Sequence, residues 1–127
     1  RIDFEKKKSA KDGSENIPVR LELQIVFNQA MDANTLVYGD ETHVVICERI
    51  NDNSNSCRSG TEVLASIELK TTTYLNDTVL ITPLNDLEHG TFYTLFAGNQ
   101  IAVHPDCRSY GKPVGGREKS DFVTIMN

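Results

Sequence analysis

Between Val19 and Phe27 the chain alternates with a period of two. Leu21, Leu23, Ile25 and Phe27 share one parity, and Arg20, Glu22 and Gln24 share the other. Alternation over nine residues predicts a strand with one face in a core. It stops abruptly at Asn28, and Asn28 to Leu36, carrying Asp32 and Asn34, predicts a capped turn or a short helical piece. His43 to Cys47 is β-branched and strand-like. The tract from Arg49 to Gly60 is rich in Asn and Ser and predicts a loop.

Glu62 to Tyr74 sets Val63, Ala65, Ile67 and Leu69 against Leu64, Ser66, Glu68 and Lys70. Its first half, Glu62 to Lys70, contains good helix formers, but the period of two runs on into "TTTY" and predicts a strand. Asn76 to Pro83 reads as the returning arm of a hairpin, with Asn76 and Asp77 in the turn. Thr91 to Gly98 is a further strand, 99–117 a loop punctuated by Gly and Pro, and "SDFVTIM" a last strand. Six or seven short strands with turn signals between them predict an all-β sandwich.

The chain has 127 residues, enough for one core. It begins at Arg1 with no apolar leader or membrane span, which suggests a piece of a longer protein. Its net charge of −5 argues against nucleic acid as a partner, because phosphate binding needs a basic face. The lysines that do cluster, Lys6, Lys7, Lys8 and Lys11, lie within 1–11, read as a solvated arm or linker ahead of a domain spanning 12–127.

Cys47 and Cys57 flank "ERINDNSNS" and are the candidate disulfide, a staple worth about 2–3 kcal/mol. Cys57 could instead pair with Cys107, and three reduced thiols are the third reading, since an odd count cannot be fully paired within one chain.

Three stretches carry a family resemblance. "DGSENIPVRLELQIVFNQAMDANTL" resembles the opening of bacterial Ig-like domains of the S-layer-protein type, through Gly13, Asn16, Pro18, Phe27, Met31, Asp32, Thr35 and Leu36. "VLITPLNDLEHGTFYTLFAG" resembles that family's hairpin strand and the turn after it, with Leu87, Gly90, Thr91 and Tyr93 in the matching places. The terminal "DFVTI" resembles its last strand. The resemblance implies an Ig-like antiparallel β-sandwich of about seven strands. It also implies a structural tyrosine corner of Leu87, Gly90 and Tyr93, as in fibronectin type III domains, with the Tyr93 hydroxyl reaching back to upstream backbone. The chain departs from the family in "HPDCRSYGKPVGG" and "ERINDNSNSCRSG", so anything particular to this protein is expected in the loops 48–60 and 99–117.

Candidate chemistry is sparse. His43, His89 and His104 are scattered; His104, Asp106 and Cys107 make at best a metal corner, which Cys47 and Cys57 would have to complete. Asn51 to Ser56 alternates oxygen donors as calcium loops do, but with one carboxylate and neither the glycine nor the final glutamate of an EF-hand, so calcium binding there would be weak. Asn76 begins a glycosylation sequon that a hairpin turn also explains. No nucleophile elbow, zinc-protease helix or phosphate loop occurs, and the expectation is a non-enzyme without cofactor or metal. With Tyr93, Leu95 and Ala97 facing the core, Phe92 and Phe96 fall on the outer face, a candidate interface unless a loop or the N-terminal arm covers them.

The resemblance implies a secreted or surface-anchored bacterial chain and an extracytoplasmic address. Within it this segment would be a spacer or adhesive module contacting neighbouring domains. The alternatives are recognition of a glycan or host protein through 48–60 and 99–117, and an accessory domain of a secreted hydrolase.

Overall fold

A computed structural model describes residues 2–4, 14–49, 57, 59–105 and 118–126. Among them are eight strands: β1 Ile2–Phe4, β2 Ser14–Ile17, β3 Leu23–Phe27, β4 Val44–Glu48, β5 Ala65–Lys70, β6 Thr78–Pro83, β7 Phe92–Ala97 and β8 Glu118–Thr124. They form two four-stranded sheets, ordered β1-β3-β6-β5 and β2-β8-β7-β4. Apart from β2, this is the A-B-E-D and G-F-C order found in immunoglobulin constant-type sandwiches. The inward parities of the two sheets meet in one core that includes Leu23, Ile25, Phe27, Ile46, Ile81 and Leu95, all essentially free of solvent.

The opening alternation is real in its side chains but shorter in its backbone. Leu23 to Phe27 pairs with β6, Leu23 opposite Ile81 and Val26 opposite Thr78. Residues 18–22 must carry the chain from one sheet to the other, so their backbone cannot stay in a ladder. Val19 and Leu21 still pack against the core half-buried, and the Val19 carbonyl accepts the N–H of Leu87 at 2.8 Å. The segment after β3 is a 3-10 turn, Ala33–Thr35, capped by the Asp32 carboxylate accepting the N–H of Asn34 at 3.0 Å. The "TTTY" continuation is not strand. Thr71 to Asn76 form the turn into β6, because the Asp77 carboxylate accepts the N–H groups of Thr72, Thr73 and Tyr74.

Two pairings depart from the expected layout. Ile2 to Phe4, expected within a solvated arm, lies antiparallel to β3, with Ile2 opposite Phe27. β2 runs parallel to β8, with an irregularity in register between Ser14 and Ile17, where Asn16 takes a positive φ of 59°. The N-terminal stretch thus touches both sheets, one pairing in each.

The loops divide between the two ends of the sandwich. At one end the segment after β3, the β5–β6 turn and the start of the 99–117 loop are tied by backbone bonds: Met31 N–H to Leu75 O, Asp32 N–H to Ala102 O, and His104 N–H to Ala30 O, at 2.9, 3.0 and 2.9 Å. At the other end lie 18–22, the segment leading to β5, the turn after β6 and the end of β8.

Candidate functional site

The outer face of the β4–β7–β8 sheet carries a disulfide, a second apolar cluster and a buried arginine. Val45, Cys47 and Phe96 point outward yet are fully buried, in a second small cluster against which Tyr38 and Cys57 pack. Cys47 and Cys57 are disulfide-bonded, their Cα atoms 5.8 Å apart. That bond holds the far side of the loop against β4. Just beyond it, Thr61 O accepts the N–H of Glu48 at 3.0 Å and Val63 N–H donates to Ile46 O at 2.8 Å. The Tyr38 hydroxyl sits in the same seam, accepting the N–H of Ile46 at 3.0 Å and donating to the Val63 carbonyl. Burial, opposed by that Ile46 N–H, pushes Tyr38 up to about 12, so the phenol stays a donor at any ordinary pH.

Arg49 continues the outward parity of Val45 and Cys47 and lies over the same face. Its guanidinium carbon is 5.9 Å from the ring centroids of both Phe92 and Phe96, within cation–π range. Its Nη1 donates to Thr94 Oγ1 at 3.1 Å, and Thr94 Oγ1 donates to Asp121 Oδ1 at 2.7 Å. A charged side chain only 8% exposed, set on two rings and joined through a hydroxyl to a carboxylate, is a rigid polar feature rather than a solvated one.

This geometry corrects the expected aromatic interface. Phe96 is 0% exposed beneath the disulfide cluster and Arg49, and only Phe92, at 38%, opens to solvent. The two rings do not form an exposed pair. Arg49 was missed in the sequence because it sits at the head of a polar loop. Counting the parity of β4 two residues past Cys47 would have placed it over Phe92.

On the core-facing side of β7, at the end where it begins, the Leu87–Tyr93 turn has the following geometry. Leu87 and Tyr93 are buried, and Gly90 has a φ of 57°. The Tyr93 hydroxyl accepts the N–H of Glu88 at 2.8 Å, and the ring stacks on Phe122 at 5.7 Å between centroids. Burial is the main cause that raises the Tyr93 phenol above its ordinary value. Tyr93→Phe keeps the ring and strands the Glu88 N–H, so urea unfolding should show a loss of about 1–2 kcal/mol; an unchanged midpoint would mean water replaces the hydroxyl at no cost.

The histidines stay apart. His43 Nδ1 lies 3.1 Å from Asp40 Oδ1, His89 Nδ1 lies 3.2 Å from the Ile125 carbonyl, and His104 is tied by its backbone to Ala30. Among the described residues no group of three or more His, Cys, Asp or Glu side chains could hold a metal ion. Asp106 and Cys107, and the oxygen-rich stretch 51–56, lie outside the described residues. Among the described residues no helix is long and apolar enough to cross a membrane.

Two four-stranded sheets facing across one core define an all-β sandwich domain. Among solved structures the chain is similar to the surface layer protein SbsC, domains 1–6, with a TM-score of 0.53 and 13% sequence identity over 92% of this chain. The match spans 14% of that chain, and at this identity it speaks for the fold alone. No protein-family model matches the sequence. No curated protein sequence matches it either.

Proposed function

We propose that this chain is a non-catalytic structural module of a larger surface or secreted protein, working as a spacer whose end packs on a neighbouring domain. The observation that carries this reading is the apolar end of the sandwich where β8 finishes. Leu64 and Leu84 are 70% and 60% exposed and joined by a 3.0 Å bond from Leu84 N–H to Leu64 O. Beside them Val19, Leu21 and Pro83 line a cleft of about 270 Å³ whose other wall is polar and holds the Arg20–Asp86 ion pair, and Ile125 and Met126 are exposed where β8 ends. Adjacent exposed aliphatics of this kind mark contact surfaces. The likeness to one part of a multi-domain surface layer protein supports the same reading. The Cys47–Cys57 disulfide supports an oxidising, extracytoplasmic address.

Amide hydrogen exchange compares the domain alone with the same domain in its full-length parent. The spacer reading expects slower exchange in the parent at 63–65 and 84–86. Identical protection at every amide would remove it. An array of glycans and matrix proteins run with the isolated domain tests the recognition reading, and saturable binding there would replace the spacer reading with it.

A further inference from the structure

Along β5, Ser66, Glu68 and Lys70 are exposed while Ala65, Ile67 and Leu69 are half-buried. β5 ends its sheet, with β6 on one side and no described strand on the other. The ladder fixes which backbone groups face that open side. Leu84 N–H donates to Leu64 O, and the register continues through Ala65 opposite Pro83 to Lys70 opposite Thr78. In an antiparallel ladder alternate residues exchange hydrogen bonds with the partner, and those between turn theirs away. Counting by twos from Leu64, residues 66, 68 and 70 bond to β6, and Ala65, Ile67 and Leu69 direct their N–H and C=O groups to the free edge. Among the described residues, the edge therefore combines backbone groups without a strand partner with apolar side chains only partly covered.

We propose that this edge pairs antiparallel with the same edge of a second copy of the chain, about a two-fold axis at Leu69. In that register Leu69 faces Leu69 of the second copy as a hydrogen-bonded pair. Glu68 then faces Lys70 of the second copy, and Lys70 faces Glu68. Both charge pairs fall at non-hydrogen-bonded positions, where Cα atoms are about 4.5 Å apart and side chains meet most closely. Neighbouring registers lose that charge pairing. An axis at Glu68 sets glutamate against glutamate, an axis at Lys70 sets lysine against lysine, and an axis at Ile67 puts Lys70 opposite Leu64. Exposed edges commonly carry charge that forbids pairing; here opposite charges two residues apart select one self-complementary register instead. Pairing would join the two β1-β3-β6-β5 sheets edge to edge over Glu68 to Lys70 and cover Leu69, while Ile67 would face Thr71, where the turn into β6 begins. A single strand edge buries less than the ~1,000 Å² of stable complexes, so the association is weak, with a Kd of about 10–1,000 μM. The inference stands independently of the spacer reading.

Sedimentation equilibrium from about 10 μM to about 1 mM tests it, at low salt and with Cys107→Ser throughout so that covalent dimers are not counted. The unaltered edge should show a monomer–dimer equilibrium. Lys70→Glu sets like charges opposite each other twice and should raise Kd at least about tenfold. The swap Glu68→Lys/Lys70→Glu restores complementarity and should return Kd to within about threefold of the starting value. Melting of each variant in dilute solution checks that the monomer still folds. A chain monomeric across the whole range overturns the proposal. So does an association that Lys70→Glu leaves unchanged, or one that the swap does not restore.

Discussion

Replacing Gly98 with alanine is expected to lower the melting midpoint by about 10 °C, the equivalent of about 3 kcal/mol in a domain of this size. Gly98 follows β7 directly and is buried, and its φ is not in the left-handed region, so the constraint is space rather than conformation. A Cβ placed there would overlap the Glu41 carbonyl oxygen and the Cα and carbonyl carbon of Thr42. Those are backbone atoms, and the turn that holds them cannot easily recede. Asp40 Oδ1 accepts the N–H of Thr42 at 2.8 Å and that of His43 at 3.1 Å, and it takes the Thr42 hydroxyl as well. The Thr42 hydroxyl is the main cause that holds the Asp40 carboxyl below its ordinary range. Across the contact, Gly98 N–H donates to His43 O at 2.6 Å and Gln100 N–H to Thr42 O at 2.9 Å, and alanine would pry both apart.

Gly90 provides the contrast within the same fold. Its φ of 57° disfavours a side chain, but the atoms a Cβ would meet belong to the flexible, exposed Met126 side chain. Gly90→Ala should therefore cost only about 1 kcal/mol, paid in backbone strain. Thermal melts of the two variants side by side decide the matter. Equal losses would mean that the 40–43 turn can shift, contrary to the hydrogen bonds that brace it.

The strands were legible in the sequence where one face is wet and the other dry. Leu23, Ile25 and Phe27 alternate with polar residues and are buried as that pattern requires. β5 alternates half-buried and exposed residues along its whole length. Legibility failed where a long-range partner decides the local backbone. "TTTY" has strand propensity, but the Asp77 carboxylate gathers its amides into a turn, and nothing in the four residues announces that capture. Ile2 to Phe4 could not be told from an arm, because its only described pairing is with β3, more than twenty residues later. The parallel β2–β8 contact depends likewise on the far end of the chain.

The outer-face features divide in the same way. That Phe92 and Phe96 lie on one face followed from period two, and so did the choice between contact and cover. Which alternative won depended on a disulfide, on Tyr38 from a different loop and on Arg49. Together these turn an outward sheet face into a second small core. Unexplained surface aromatics on a strand beside a cysteine-bounded loop thus call first for a search of the loop's ends for a cation of matching parity.

Asp77→Asn is expected to cost about 3 kcal/mol at neutral pH and much less in acid. The Asp77 side chain is buried, yet it accepts N–H bonds from Thr72 at 2.8 Å, Thr73 at 2.9 Å and Tyr74 at 3.0 Å, and the Thr78 hydroxyl at 2.9 Å. An asparagine offers one oxygen and turns an NH₂ toward donors that need acceptors, so charge-assisted bonds are lost and a buried amide is left unmatched. The damage would spread, because Asp77 O accepts the N–H of Phe27 at 2.7 Å and the adjacent Leu75 O accepts that of Met31 at 2.9 Å. Burial alone would raise the Asp77 carboxyl; the three backbone N–H groups and the Thr78 hydroxyl outweigh it and hold the carboxyl below its ordinary range. A carboxyl depressed by folding contributes stability that is fully present above its unfolded value of about 3.9 and is lost as pH falls through its lower folded value. Urea titrations at neutral pH and at successive steps below pH ~4 should therefore show the wild-type midpoint falling toward that of Asp77→Asn. A gap between the two proteins that stays constant through that window would mean the turn is held by the shape of residue 77 and not by its charge.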